Sequence, residues 1–452
     1  MQASSILGNP GVSPGVVYWE KCGSNCALWL DHPWSSCLFS SWKLEPRRNG
    51  SPIMKLHVLI VLLCFLRPLP LPQSSAPLLQ DAFIWQRQWT PATSEAVSQL
   101  GPEFRRLVLL IAEINPGKAG KKLQVARVRP DWSALRQSGA EIGLAIRCGA
   151  WRGPFGGDAV ETCLLEETKQ ALELAAAAQV QVSELHIDFD CPERLLRSYA
   201  IWLQHLRSQL PHGVQLWITG LPSWLGESGL SLLLASCDGW VLQVHSLGRP
   251  ESKGAAPQLC DVRKSRSWAE SAAELGVPFR VALPTFSWIA RFDANGSCLK
   301  LSAEDSDIEG DWVAPDAAAL AGLVAEWRRQ HPLALESLIW FRLPSADERR
   351  NWRPATLMAV KAGRIPVARP HVTSIDRGGG LFDVEIRQDG DGDSLIREIP
   401  LPPCGATAFD APIGHLRRLD DGSLLWTAPP SGLLLRPGER RLLFWYRIGK
   451  GS

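Results

Sequence analysis

Two aspartates stand two positions apart in the stretch ELHIDFDCPERLLRSYAIWLQHL, residues 184–206, where an apolar run gives way to a helical pattern. A strand alternates its side chains, so Asp188 and Asp190 share one face if the run is extended. Crowding two carboxyl groups raises the proton affinity of one. Glycoside hydrolysis needs that pairing: an acid for the leaving oxygen, and a base or nucleophile opposite. The same residues also admit a purely structural role. Asp190-Cys-Pro-Glu fits a helix N-cap with Pro192 in the first turn and Glu193 at the third position.

What positions those aspartates is legible in the surrounding chain. From about residue 80 a short β-rich apolar run, polar punctuation and a helical stretch recur. The runs cover 82–89, 106–114, 142–149, 185–190, 214–221, 239–247, 279–286 and 337–343, and helical patterns lie at 165–180, 194–210 and 315–331. Eight strands alternating with helices is the layout of a (β/α)8 TIM-like barrel, which takes about 250 residues. A doubly wound open sheet is the structural alternative, but no glycine-rich dinucleotide loop follows the first run. The barrel is placed at 78–367. Beyond it, 368–452 alternates strand-like runs with Gly, Asp and Pro turns and reads as a small all-β C-terminal domain. Its DGDGD at 389–393 lacks the final glutamate and flanking helices of an EF-hand and is read as a hairpin turn.

Active sites of barrels form at the C-terminal ends of the strands. The polar and aromatic residues there are Trp85, Arg87, Glu113, Arg147, Asp188, Asp190, Thr219, Gln243, His245 and Arg342. Charges facing a barrel interior are costly unless paired, so their convergence suggests a pocket kept for use. Asp188 is the leading catalytic candidate, with Asp190 or Glu113 as its partner. Trp85, Arg87, Arg147, Thr219, Gln243, His245 and Arg342 are the substrate-binding candidates. Each has a structural alternative. Arg147 and Arg342 can neutralise Glu113 and Asp188, and His245 can be hydrogen-bonded to the next strand. Trp85, Trp217 and Trp340 read as barrel filling, whereas Trp151, Trp224 and Trp288 in the loops have better claims as stacking platforms for sugar rings. Only His245 and His186 offer nitrogen donors near the rim, so no metal site and no cofactor are assigned.

The 452 residues are 45% hydrophobic and 21% charged, a globular composition, and the formal charge of +2 with no basic stripe gives no reason to expect nucleic acid. Residues 1–53 lack either periodicity and read as a non-native upstream extension. Met54 then opens MKLHVLIVLLCFLRPLPLPQSSA, with Lys55, an apolar Leu56–Leu66 and a small-residue region at Ser74-Ser75-Ala76, so 54–76 reads as a signal peptide or membrane anchor. The expected address is extracytoplasmic, with membrane association only through that segment. Seven cysteines follow Cys64, an odd number without a CxxC pair; an exported chain could form one or two disulfides, with Cys260 and Cys298 in loops the most plausible participants and the pairing left open.

DFDCPE superficially resembles the DxDxE strand motif of family 18 glycosidases, the chitinase group, but Glu193 stands three residues after Asp190, not two. The ordered set IWQRQW, LHIDFDCPERLLRSYAIWLQHLR, WITGLPSWL, VLQVHSL and VALPTF resembles the bacterial family known as domain of unknown function 3142, from about residue 80 to the C-terminus. That resemblance implies an exported bacterial protein with a glycosidase-like barrel, and supplies no catalytic residues. Two functions follow as expectations. One is an exported carbohydrate-active barrel of glycoside-hydrolase type acting on a polysaccharide. The other is a catalytically silent barrel serving as a carbohydrate-binding or envelope assembly module.

Overall fold

Each of the eight apolar runs forms a strand. They are β1 Leu79–Ile84, β2 Arg106–Asn115, β3 Glu141–Cys148, β4 Val182–Phe189, β5 Gln215–Gly220, β6 Gly239–Gln243, β7 Phe279–Pro284 and β8 Leu335–Phe341. All pair in parallel with their sequence neighbours, and β8 pairs back onto β1, so the sheet closes and the open-sheet alternative falls. This computed structural model describes residues 73–117, 123–245, 259–302 and 311–449. The chain divides into two compact units, Met1–Leu69 and Pro70–Ser452, and everything described belongs to the second. The upstream extension at 1–53 and the apolar segment from Met54 lie outside the described residues. Among the described residues no helix is long and apolar enough to cross a membrane.

One helix follows each strand: α1 Pro91–Leu100, α2 Trp132–Gln137, α3 Ala159–Ala177, α4 Leu196–Gln209, α5 Leu230–Leu234, α6 Val262–Glu274, α7 Ala317–Arg329 and α8 Pro354–Lys361. Short polar residues start many of them. Asp131, Asp158, Asp261 and Asp316 each accept two backbone N–H groups at an N-cap, worth about 1 kcal/mol apiece. The fourth helix is different. A 3₁₀ turn at Glu193–Leu195 precedes it, α4 starts only at Leu196, and neither segment has a side-chain cap. Pro192, with φ −59° and ψ 139°, keeps the chain extended and separates Asp190 from the first helical turn. The N-cap role for Asp190 and Glu193 is therefore overturned.

The apolar residues sort into an outer layer between strands and helices and an inner filling. Phe83, Val108, Leu110, Ala145, Trp217, Val241, Ala282 and Ile339 fill the barrel interior. Gly239 makes room there, because a Cβ would stand 2.6 Å from the Trp217 ring. Below this filling sits a buried charge network. Arg280 grips Glu184 at 2.7 and 2.8 Å, Arg106 reaches the same carboxylate at 2.8 Å, and His186 Nε2 lies 2.7 Å from it. Asp81 accepts from Ser337 at 2.6 Å and pairs with Arg105 at 2.7 Å. Burial alone would raise Glu184, but His186 and Arg280 outweigh it and hold its carboxyl well below the usual range. The Arg280 guanidinium also lies 3.7 Å over the Trp217 ring.

A three-stranded antiparallel insertion, Trp288–Phe292, Cys298–Ser302 and Asp311–Val313, separates β7 from α7. After α8 the chain is all β, and its sheets enclose a core that includes Val384, Ile386, Leu424, Trp426 and Phe444. The DGDGD segment is not a hairpin turn. It joins Leu381–Gln388 to Ser394–Ile396, which belong to different sheets, and its Asp389 and Asp391 pair with Arg387 and Arg364. Cys260 and Cys298 form no disulfide with each other. The first has its Sγ 3.4 Å from Ser265 Oγ, the second 3.8 Å from the Lys300 carbonyl, so each thiol already has a local partner.

Candidate active site

Strand register brings the rim carboxylates together. In the β2–β3 and β3–β4 pairings Glu113 lies opposite Arg147, and Arg147 opposite Asp188. The Arg147 guanidinium stands 3.7 Å from both carboxylates and makes no hydrogen bond among the described residues. Glu113 is held more tightly by Arg87, whose Nε and Nη2 donate to its two oxygens at 2.7 and 3.0 Å. That bidentate fork takes one lone pair of each oxygen and commits Glu113 to an ion pair.

Asp188 is held differently. Its Oδ1 accepts from Thr219 Oγ1 at 2.5 Å and from Gln243 Nε2 at 3.2 Å. Strands β5 and β6 thus supply neutral donors that aim the carboxylate. Thr219 and Gln243 act on Asp188, and Thr219 is itself buried. Two residues further on, Asp190 is open to solvent at the mouth and accepts no hydrogen bond among the described residues. The outer edge of the residue meets solvent, but the rim packed around it partly desolvates its carboxyl and Asp188 adds a like charge, and together they push it up to about 6 against the pull of Arg147. One aspartate is fixed by donors while its neighbour has its proton affinity raised. That division of labour is what an acid and a carboxylate partner require.

The other candidates surround this pair. His245 Nδ1 donates to the Ala282 carbonyl of β7 at 3.1 Å, and its ring stacks on Phe341 at 5.1 Å between centroids. Burial lowers its pKa, outweighing that hydrogen bond and the Asp188 charge, so the ring is neutral at pH 7. Arg342 does not reach Glu113 or Asp188. It pairs with Glu348, whose carboxylate also accepts from Gln86 at 3.2 Å and Asn351 at 2.9 Å. Trp85 is buried, its ring tilted against Phe341 at 5.3 Å and edge-on to Phe83 at 5.2 Å. Trp217 and Trp340 are buried as well. Trp224, expected as a loop platform, is also fully buried, with its Nε1 donating to the Cys191 carbonyl at 3.0 Å. Its loop folds inward beneath the mouth. Trp151 and Trp288 keep partly exposed rings.

Sequence reasoning missed Glu348 and Asn351, which lie in an irregular loop without periodicity. It also missed Glu184 and Arg280, although Glu184, His186 and Asp188 alternate on one face and a period of two was there to be read.

Residues 160–346 match the family model Domain of unknown function (DUF3142). This is the domain that carries β4 to β8 and the Asp188–Asp190 pair. The match is narrower than the resemblance read from about residue 80 onward. No curated protein matches the chain. Among solved structures it is similar to the spore cortex-lytic enzyme SleL of Bacillus cereus, at 13% identity and a TM-score of 0.42, over 64% of this chain and 74% of that one. It is also similar to a chitinase of Chromobacterium violaceum, at 14% identity and a TM-score of 0.40, over 63% and 98% of the two chains. A third is a GH18 chitinase of Cycas revoluta in complex with (GlcNAc)4, at 15% identity and a TM-score of 0.41, over 63% and 98%.

Proposed function

We propose that this protein is an exported glycoside hydrolase acting on a polysaccharide, with Asp190 as the acid and Asp188 as its carboxylate partner. The observation that carries this reading is the unpartnered Asp190 carboxyl, pushed up to about 6, beside an Asp188 held by Thr219 and Gln243. Protonated Asp190 gives its proton to the glycosidic oxygen, the bond from that oxygen to the anomeric carbon breaks, and the carboxylate of Asp188 faces the positive charge that develops there. Water completes the reaction by adding hydroxide to the anomeric carbon and returning a proton to the carboxyl pair. Arg147, ion-paired with Glu113 and Asp188 at 3.7 Å but making no hydrogen bond among the described residues, and His245, neutral beside Asp188, are suited to hold sugar hydroxyls. The exported address rests on the sequence alone, in the Met54–Leu66 pattern.

A second reading, a silent carbohydrate-binding barrel, has one observation in its favour: the Arg87 fork commits Glu113 to an ion pair. The two separate in a screen of binding and hydrolysis across a glycan panel, with the parent and Asp188→Asn compared. Hydrolysis of at least one glycan, lost in the variant, supports the enzyme. Binding without turnover, unchanged in the variant, supports the silent barrel.

A further inference from the structure

The all-β domain reaches the mouth of the barrel through one buried side chain. Arg436, just after the strand Leu433–Leu435, is 6% exposed. Its Nη1 donates to the Arg349 carbonyl and its Nη2 to the Asn351 carbonyl at 2.7 Å, so one guanidinium pins the loop between β8 and α8 at two points. A planar fork fixes direction as well as distance. The same loop turns its own side chains onto Arg342, at the end of β8. Asn351 Nδ2 donates to the Arg342 carbonyl at 3.2 Å and to Glu348 Oε2 at 2.9 Å, and Glu348 pairs with the Arg342 guanidinium. Gln86 Nε2 braces this pair, donating to Glu348 at 3.2 Å and to the Leu343 carbonyl at 2.8 Å. Gln86, Glu348 and Asn351 are all buried. At the backbone, Thr285 Oγ1 accepts the Arg342 N–H at 2.8 Å and donates to its carbonyl at 2.6 Å.

An arginine held on so many sides still has a donor to spare. The Arg342 side chain is 25% exposed, and its Nη1 has the Trp85 carbonyl at 3.5 Å, longer than a normal hydrogen bond. Phe341, the residue before it, carries the His245 ring at 5.1 Å, which puts Arg342 on the rim that holds the aspartates. Glu348 already balances its charge, so the guanidinium suits a neutral hydroxyl oxygen. We propose that Arg342 holds a hydroxyl of the glycan at this rim, and that Arg436 of the all-β domain positions it through Asn351 and Glu348. The all-β domain is then part of the substrate site. This inference rests on the carbohydrate reading above and adds to it a substrate contact, Arg342, and three positioning residues. Among the described residues no hydrogen bond or ion pair joins Arg342, Glu348 or Arg436 to Asp188, so loosening the loop weakens glycan binding and leaves proton transfer alone.

Steady-state kinetics well below the Tm, on a glycan that the parent cleaves, compare Arg342→Met, Arg436→Met, the double variant and Thr356→Val. For a glycan bound without turnover, Kd takes the place of KM. Thr356→Val removes another bond of the same junction, 2.7 Å to the Asp391 carbonyl, without touching the loop. Arg342→Met and Arg436→Met are each expected to raise KM by roughly five- to tenfold, with kcat and its pH profile unchanged. The double variant is expected to match Arg342→Met, because Arg436 acts through that residue. Thr356→Val is expected to keep the parent's KM, which a merely stabilising role for Arg436 would not allow it alone to do. Arg436→Lys keeps the charge and one donor for the loop, so its KM is expected to fall between the parent and Arg436→Met, and it carries the comparison where the Met variant does not fold. The inference is overturned if Arg342→Met keeps the parent's KM, if both Arg436 variants keep it, if Thr356→Val raises KM as far as they do, or if the double variant adds the two losses. A parent that neither binds nor cleaves any glycan overturns the carbohydrate reading itself, a result distinct from each of these.

Discussion

At the scale of single residues the account depends on two aspartates in unlike surroundings. Thr219→Val keeps the shape of the side chain and removes the 2.5 Å donor from Asp188. A hydrogen bond to a charged group contributes about 1.5–3 kcal/mol, so turnover is expected to fall by roughly ten- to a hundredfold with KM little changed, as steady-state kinetics will show. Asp190 carries the pH dependence. Acting as an acid it must be protonated, so the rate is expected to fall as pH rises through about 6. Its effect on stability has a definite sign. The folded value lies above the unfolded value of about 4, so the folded state binds more proton between about pH 4 and 6, and stability declines as pH rises through that window. Asp190→Asn removes this decline. The variant is expected to gain about 1 kcal/mol at pH 7, a figure discounted for the exposure of the site, and nothing at pH 4, in thermal melts at the two values. The spacing of two carboxylates foreshadows only the smaller cause of the upward shift of Asp190, the like charge of Asp188; the larger, desolvation at the rim, comes from the fold. The freedom of Asp190 from capping was not foreseeable, because Asp-Cys-Pro-Glu satisfies the sequence rule for a cap that Pro192 then prevents.

At the scale of elements the alternation of eight strands and helices was legible because each run is apolar and ends in Gly, Pro or polar punctuation, and the barrel closes as that pattern requires. The partners of the charges were not legible. Arg342 stands at the end of β8 in the sequence, and only the fold of the following loop brings Glu348 to it. Trp224 is in a loop by sequence, and only the packing of that loop buries it. The charge network at the base of the barrel makes its own prediction. Glu184→Gln leaves the buried Arg280 guanidinium with only Asp81 at 3.4 Å and Arg106 with only the more exposed Glu141, and a broken buried pair costs about 3–5 kcal/mol. Chemical denaturation is expected to show that loss with an unchanged m value. Gly239→Ala is expected to cost about 1–3 kcal/mol in the same measurement, since its Cβ would press on the Trp217 ring.

At the scale of the whole described unit, the barrel and the all-β domain are joined by polar contacts that are partly buried. Arg436 donates to the Asn351 carbonyl at 2.7 Å, Arg353 pairs with Glu439 at 2.8 Å, and Thr356 donates to the Asp391 carbonyl at 2.7 Å. These tie the last barrel helix and the loop before it to the domain beyond. A single calorimetric unfolding transition is expected for the parent, and Arg436→Met, which removes the bond to Asn351, is expected to lower its Tm by a few degrees. The aspartate pair stands on this frame, and the central claim is that the pair cleaves a glycosidic bond. The most direct measurement is reducing-end release from a glycan panel as a function of pH, for the parent, Asp188→Asn and Asp190→Asn. The account predicts cleavage of at least one glycan with an alkaline limb near pH 6, and a loss of at least a hundredfold in both variants. Binding of glycans with no cleavage at any pH, unchanged in both variants, would contradict it.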